Sequence, residues 1–148
     1  MTHDPFMEAA IQEAKLGLAA GGIPIGSVVV KGETIVGRGH NLRVQRNSAI
    51  FHAEMSALET IGRKPASFYQ DVTLYTTLSP CSMCSGAILL YKIPNVVIGE
   101  HQTFMGEEAL LQSHGVTLTV LDDLACIQMM KDFIKGAPQL WYEDIGVV

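Results

Sequence analysis

The sequence predicts an α/β fold, a five-stranded mixed sheet with helices on both faces. Three observations carry this. The elements read in the order α-β-β-α-β-α-β-α-β-α, so strands and helices alternate after one initial strand pair. The two β-branched runs of "GSVVVKGETIVGRG" flank Lys31-Gly32, the pattern of a hairpin, which must be antiparallel. The chain has 148 residues, 48% of them apolar, enough for one core. Residues 1–148 carry no repeat, linker or composition shift and are expected to form one domain.

Each element has a local reason. Asp4-Pro5 is an N-cap followed by proline at the first helical position, and Phe6, Ala10, Ala14 and Leu18 recur every four residues as the expected buried face. Gly21-Gly22 ends that helix. Beyond the hairpin and an irregular polar stretch, "HAEMSALETIG" joins good helix formers to a closing Gly62. "DVTLYTT" is a strand. Residues 81–91 form a helix apolar on nearly every side, hence buried on several sides. "NVVIGE" is a strand, residues 107–114 a short helix ended by Gly115, and "VTLTVL" a strand parallel to its predecessor. Asp122 or Asp123 caps a helix running to Lys135, and the aromatic tail "PQLWYEDIGVV" reads as irregular or turn-like.

Composition narrows the function. The net charge of −5 argues against nucleic acid as a partner, since that affinity rests largely on Lys and Arg. Apolar stretches fall short of a membrane span, and residues 1–5 lack the basic and apolar parts of a secretion signal. Three cysteines are too few for a disulfide framework, so a cytoplasmic location is the default and the close pair Cys81/Cys84 reads as metal-binding or redox. Residues three apart share a helix face, and amides of the first turn favour thiolates. Alone, the pair fits a dithiol redox centre and a metal centre about equally well.

The "HAE" segment separates them. At a helix start His52 can lie partly outside helical geometry, so that His52 and Glu54 reach one centre. His52, Cys81 and Cys84 then make three protein ligands, and three ligands with an open fourth position mark catalytic zinc. Glu54 is left as a base. The pattern H-x-E…P-C-x-x-C is a signature of zinc deaminases. In that chemistry an activated hydroxide attacks C4 of the ring, Glu54 carries the proton to N3 and then to the departing amine, and the Cys81 amide steadies the oxygen charge.

"GGIPIGSVVV", "GRGHN", "LYTTLSPCSMCSGAI", "IPNVVIGE" and "WYEDIG" closely resemble the fungal-type cytosine deaminases, in order and over nearly the whole chain. The zinc motif is common to the superfamily, whereas "GRGHN" and "WYEDIG" are more specific. The resemblance implies a three-layer α/β/α sandwich of the cytidine deaminase-like fold, a homodimer with one zinc per subunit, and hydrolysis of cytosine to uracil and ammonia in pyrimidine salvage. By position it implies that Asn41 binds the O2/N1 edge of the base and Asp144 bonds near the exocyclic amine. Phe104 and Trp141 would cover the base, Ile25 line the pocket, Ser79 offer its carbonyl to the amine, and the tail act as a lid. Ala53, where those enzymes have glycine, adds a methyl beside its amide, and the segment after Phe104 is about one residue shorter. These departures keep guanine or a substituted pyrimidine open as substrate. The tRNA adenosine deaminases share the zinc motif but need a basic RNA-binding surface. A structural zinc module would have no use for Glu54.

His40, His101 and His114 lack partner spacing and read as structural or exposed. Cys126 lies among apolar neighbours and reads as buried.

Overall fold

A computed structural model describes residues 4–148, so the first three positions of the opening segment lie outside the described residues. The chain runs α1 (Pro5–Ala19), β1 (Gly26–Lys31), β2 (Thr34–His40), α2 (Arg43–Arg46), α3 (Ala53–Ile61), β3 (Val72–Leu78), α4 (Ser82–Leu90), β4 (Asn95–Glu100), α5 (Glu108–Ser113), β5 (Thr117–Val120), α6 (Leu124–Gly136) and α7 (Pro138–Asp144), with a 3-10 turn at Ala66–Tyr69. The sheet order is β2-β1-β3-β4-β5. β1 pairs antiparallel with both β2 and β3, while β3–β4 and β4–β5 are parallel, as the crossover pattern requires. Gly32, at φ 64°, turns the hairpin.

Alternation along the strands distributes the core. Val28 and Val30 of β1 meet Met7, Ala10 and Ile11 of α1 and Cys126 of α6 on one face. Val29, Leu74, Val96 and Ile98 meet Ala57 of α3, Ile88 of α4 and Leu111 of α5 on the other. The fold is therefore an α/β sandwich with helices on both sides of the sheet. A third cluster gathers Ile23, Ile25, Ala53, Leu78, Met130 and Trp141, with Phe104 and Ile145 packed against it. α3 lies close on β2 because Gly39 has no side chain; a Cβ there would come within 2.4 Å of Ser56 Oγ. Glu13 of α1 ties the same strand from the other side, accepting from Arg38 Nε at 2.8 Å and meeting His40 Nδ1 at 2.9 Å.

Three local readings change and one open alternative is resolved. The buried face of α1 is Met7, Ala10, Ile11, Ala14 and Gly17, while Leu18 is exposed. A spacing of four residues overshoots one helical turn, so three such steps rotate the row by about 120°. The polar stretch after β2 contains the short helix α2. The tail is also helical rather than irregular: Pro138 stands at the first position of α7, where its missing N–H costs nothing and its φ is already helical. Asp123, not Asp122, caps α6, accepting from Cys126 N at 3.0 Å, while Asp122 takes a left-handed φ of 51°.

Candidate metal centre and active site

The N-termini of α3 and α4 converge at one end of the sheet. His52 caps α3 with extended backbone (φ −65°, ψ 165°), and Cys81 caps α4 in the same way (φ −69°, ψ 179°). Being outside the helices frees both side chains to turn toward each other. Cys81 Sγ lies 3.4 Å from His52 Nδ1. With Cys84, one turn further on, the three donor atoms all lie within 4.8 Å of one another. Two sulfurs and one imidazole nitrogen are a soft, borderline donor set suited to zinc, and three protein ligands leave a coordination position for a small molecule. The residues therefore fit the metal that the sequence pattern implies.

Glu54, in the first turn of α3, is buried beside this set. Burial, reinforced by the Cys81 charge and opposed by His52, raises its carboxyl to about 7. Without metal the two thiols differ. A hydrogen bond from Cys84, with another from His52, holds Cys81 down at about 4, and the same Cys81–Cys84 bond together with burial pushes Cys84 up. Burial alone would lower the His52 imidazole, but the Cys81 hydrogen bond and the Asp144 and Glu54 charges outweigh it and carry it to about 9. The metal-free pocket thus holds an imidazolium–thiolate pair.

The other ring nitrogen, His52 Nε2, lies 3.4 Å from Asp144 Oδ1, and Asn41 Nδ2 donates to that oxygen at 2.8 Å. A carboxylate behind a metal-binding histidine fixes the ring's orientation. Asn41 Oδ1 accepts from Arg43 N at 3.0 Å, so this fully buried side chain also turns the chain into α2. It stands behind Asp144.

His52, Ala53, Glu54, Cys81, Ile25, Ser79, Phe104, Trp141 and Asp144 line one cavity, completed by Leu78 and Ile145, with an empty volume of about 280 Å³ that includes its open mouth. Phe104 and Trp141 meet edge to face over it, centroids 5.8 Å apart at 87°. The Ser79 hydroxyl donates to Glu108 at 2.6 Å. Of the residues proposed from sequence, only Asn41 and Cys84 are not part of the cavity wall; each contacts a residue that is.

Sequence reasoning passed over the carboxylates holding the segment that carries Phe104. Glu100, fully buried, accepts from Gln102 N at 2.8 Å and Thr103 N at 3.0 Å, and bonds the Thr103 hydroxyl. Glu108 meets His101 Nδ1 at 3.1 Å. The glutamate closing "VVIGE" was the available signal, since a charge at the end of an apolar strand must find donors. Cys126 is buried and its thiol pushed up by burial and by Asp123, so it is an inert core residue. His114 Nδ1 lies 3.1 Å from the Leu110 carbonyl on the surface. Among the described residues no helix is long and apolar enough to cross a membrane.

Comparison with known proteins agrees with this geometry. Residues 1–100 match the model of the cytidine and deoxycytidylate deaminase zinc-binding region. A cytosine deaminase of Candida albicans is 53% identical over 141 residues, 95% of this chain and 94% of that protein. A tRNA-specific adenosine deaminase of Streptococcus pyogenes is 46% identical over 109 residues, 72% of this chain and 69% of that protein. The structure of a guanine deaminase from Bacillus subtilis superposes with a TM-score of 0.56 at 32% identity, covering 79% of this chain and 72% of that one. With its ligand triad, its buried glutamate and these relatives, the chain belongs to the zinc-binding cytidine and deoxycytidylate deaminase family.

Proposed function

We propose that this enzyme hydrolyses cytosine to uracil and ammonia. The observation that carries the reading is the Glu54 carboxyl, buried inside the cavity that also holds His52 and Cys81, beside the three-donor set. A carboxyl so placed, its proton affinity pushed up by burial, can pass a proton to a ring held in the same cavity, as general acid–base catalysis requires. The similarity to a cytosine deaminase along 95% of the chain supports the choice of base.

His52, Cys81 and Cys84 hold the zinc, which when bound supplies a water acidic enough to attack near neutral pH. Glu54 takes a proton at its carboxylate and delivers it to ring N3, then repeats the transfer to the departing amine. Asp144 holds the His52 ring so that Nδ1 faces Cys81, and receives the exocyclic amine with the Ser79 carbonyl. Asn41, behind the cavity wall, acts through Asp144, whose Oδ1 it fixes through Nδ2. The ring lies between Ile25 and the Phe104–Trp141 roof, which excludes water, and the Ala53 amide lies at its edge. The close aromatic roof of Phe104 and Trp141 over the Ile25 side of the cavity suits one free ring better than a nucleotide.

The same reading makes the protein a single-domain cytoplasmic enzyme of pyrimidine salvage and a homodimer with one zinc per subunit.

A screen of cytosine, guanine, adenosine, cytidine and tRNA for ammonia release, with zinc measured on the same sample, tests the assignment. Cytosine alone should be turned over efficiently, with about one zinc per chain. Faster release from guanine or tRNA would overturn the choice of substrate.

A further inference from the structure

The loop between β4 and α5, residues 101–107, carries Phe104 over the cavity, and both of its ends are held by carboxylates. Glu100 binds the amides of Gln102 and Thr103 at the start. At the far end the Ser79 hydroxyl acts as a two-way connector: it accepts from Gly106 N at 2.9 Å and donates to Glu108 Oε2 at 2.6 Å. Gly106 is pressed against the strand-to-helix segment at this point, since a Cβ there would stand 1.8 Å from the Pro80 carbonyl oxygen. Glu107 N donates to that same carbonyl at 3.1 Å. Donation into a carboxylate strengthens the hydroxyl as an acceptor, so the Gly106 contact depends on Glu108. Glu108 itself is absent from the cavity wall.

We propose that Glu108 is a positioning residue: through the Ser79 hydroxyl it fixes the 101–107 loop so that the Phe104 ring stays edge-on to Trp141 above the substrate. The inference rests on the cytosine reading only for its kinetic arm. The roof covers the bound base and the transition state alike, so loosening it removes uniform binding, which raises KM and leaves kcat. Neither Glu108 nor the Ser79 hydroxyl touches Glu54, so proton transfer is spared.

Three variants of the zinc-loaded enzyme test this: Glu108→Ala, Ser79→Ala, which keeps the backbone carbonyl, and the double variant. Trp141 is the single tryptophan, so its quenching by acrylamide reports the roof without any substrate. Each variant should raise Trp141 quenching about twofold and raise KM for cytosine about tenfold, the size of one charge-assisted hydrogen bond, with kcat within about twofold. The double variant should be no worse than Glu108→Ala, because that single change already cuts the Ser79 connection together with the His101 contact. Additive effects, unchanged quenching, or a loss confined to kcat would overturn the proposal. Should Glu108→Ala fail to fold, Ser79→Ala alone decides. If cytosine proves not to be the substrate, the quenching result still stands, which separates the two failures.

Discussion

Glu54 and the three ligands divide the chemistry at the scale of single residues. Glu54→Gln keeps shape and removes the exchangeable proton. It should retain zinc by metal analysis while turnover falls by on the order of 10²- to 10⁴-fold. Near-normal turnover would remove Glu54 from the mechanism. The ligands themselves make zinc uptake pH-dependent, and the sign follows from the metal-free state. At pH 7 Cys81, at about 4, is already a thiolate, whereas His52, at about 9, and Cys84, pushed up, still carry protons. Binding must expel those two, so affinity rises with pH, by up to roughly 100-fold per unit below the His52 value and less steeply above it. Calorimetry in buffers of different ionisation enthalpy should count about two protons released per zinc at pH 7. Zero or one would contradict the metal-free protonation pattern.

Helix ends and short connections decide what those residues can reach. His52 was legible because a residue at a helix start is free of helical direction; the sequence pattern makes Cys81 the first helical residue, whereas the structure makes it the cap of α4, which gives it the same freedom. Trp141 and Asp144 were legible only through family likeness. Their helix, α7, begins with a proline and follows α6 through the single residue Ala137, leaving no loop to mark its start. Removing the chain after Gln139 deletes both residues and most of α7. Zinc should remain bound through α3 and α4, turnover should fall by on the order of 100-fold or more, and the fold should survive by circular dichroism with a lowered Tm from the lost Trp141 packing. Normal deamination by the shortened protein would dismiss the tail as a cover. The Glu100 and Glu108 anchors could not be read from spacing, because their partners are backbone amides and a hydroxyl brought near by the sheet.

Strand order was largely readable for the molecule as a whole. One hairpin followed by strand-helix-strand alternation leaves little choice beyond an antiparallel start and parallel crossovers. What the pattern could not give was depth, that is, which helix face turns inward, as Leu18 illustrates. The metal joins segments from both halves of the sheet: His52 follows the β1–β2 hairpin, and the cysteines follow β3. Zinc should therefore stabilise the entire fold and not only its site. Chelation should lower Tm by on the order of 10 °C relative to protein in free zinc at about a thousand times its Kd, the shift that about 4 kcal/mol of linkage produces. A Tm indifferent to chelator would mean that the centre contributes nothing to global stability.

The Asn41–Asp144 hydrogen bond closes a loop of 103 residues. A chain leaving the ribosome displays His52 and both sulfurs well before the carboxylate that orients the imidazole has been synthesised. Orientation of the imidazole therefore waits on the docking of α7, which brings Asp144 to His52 and Asn41.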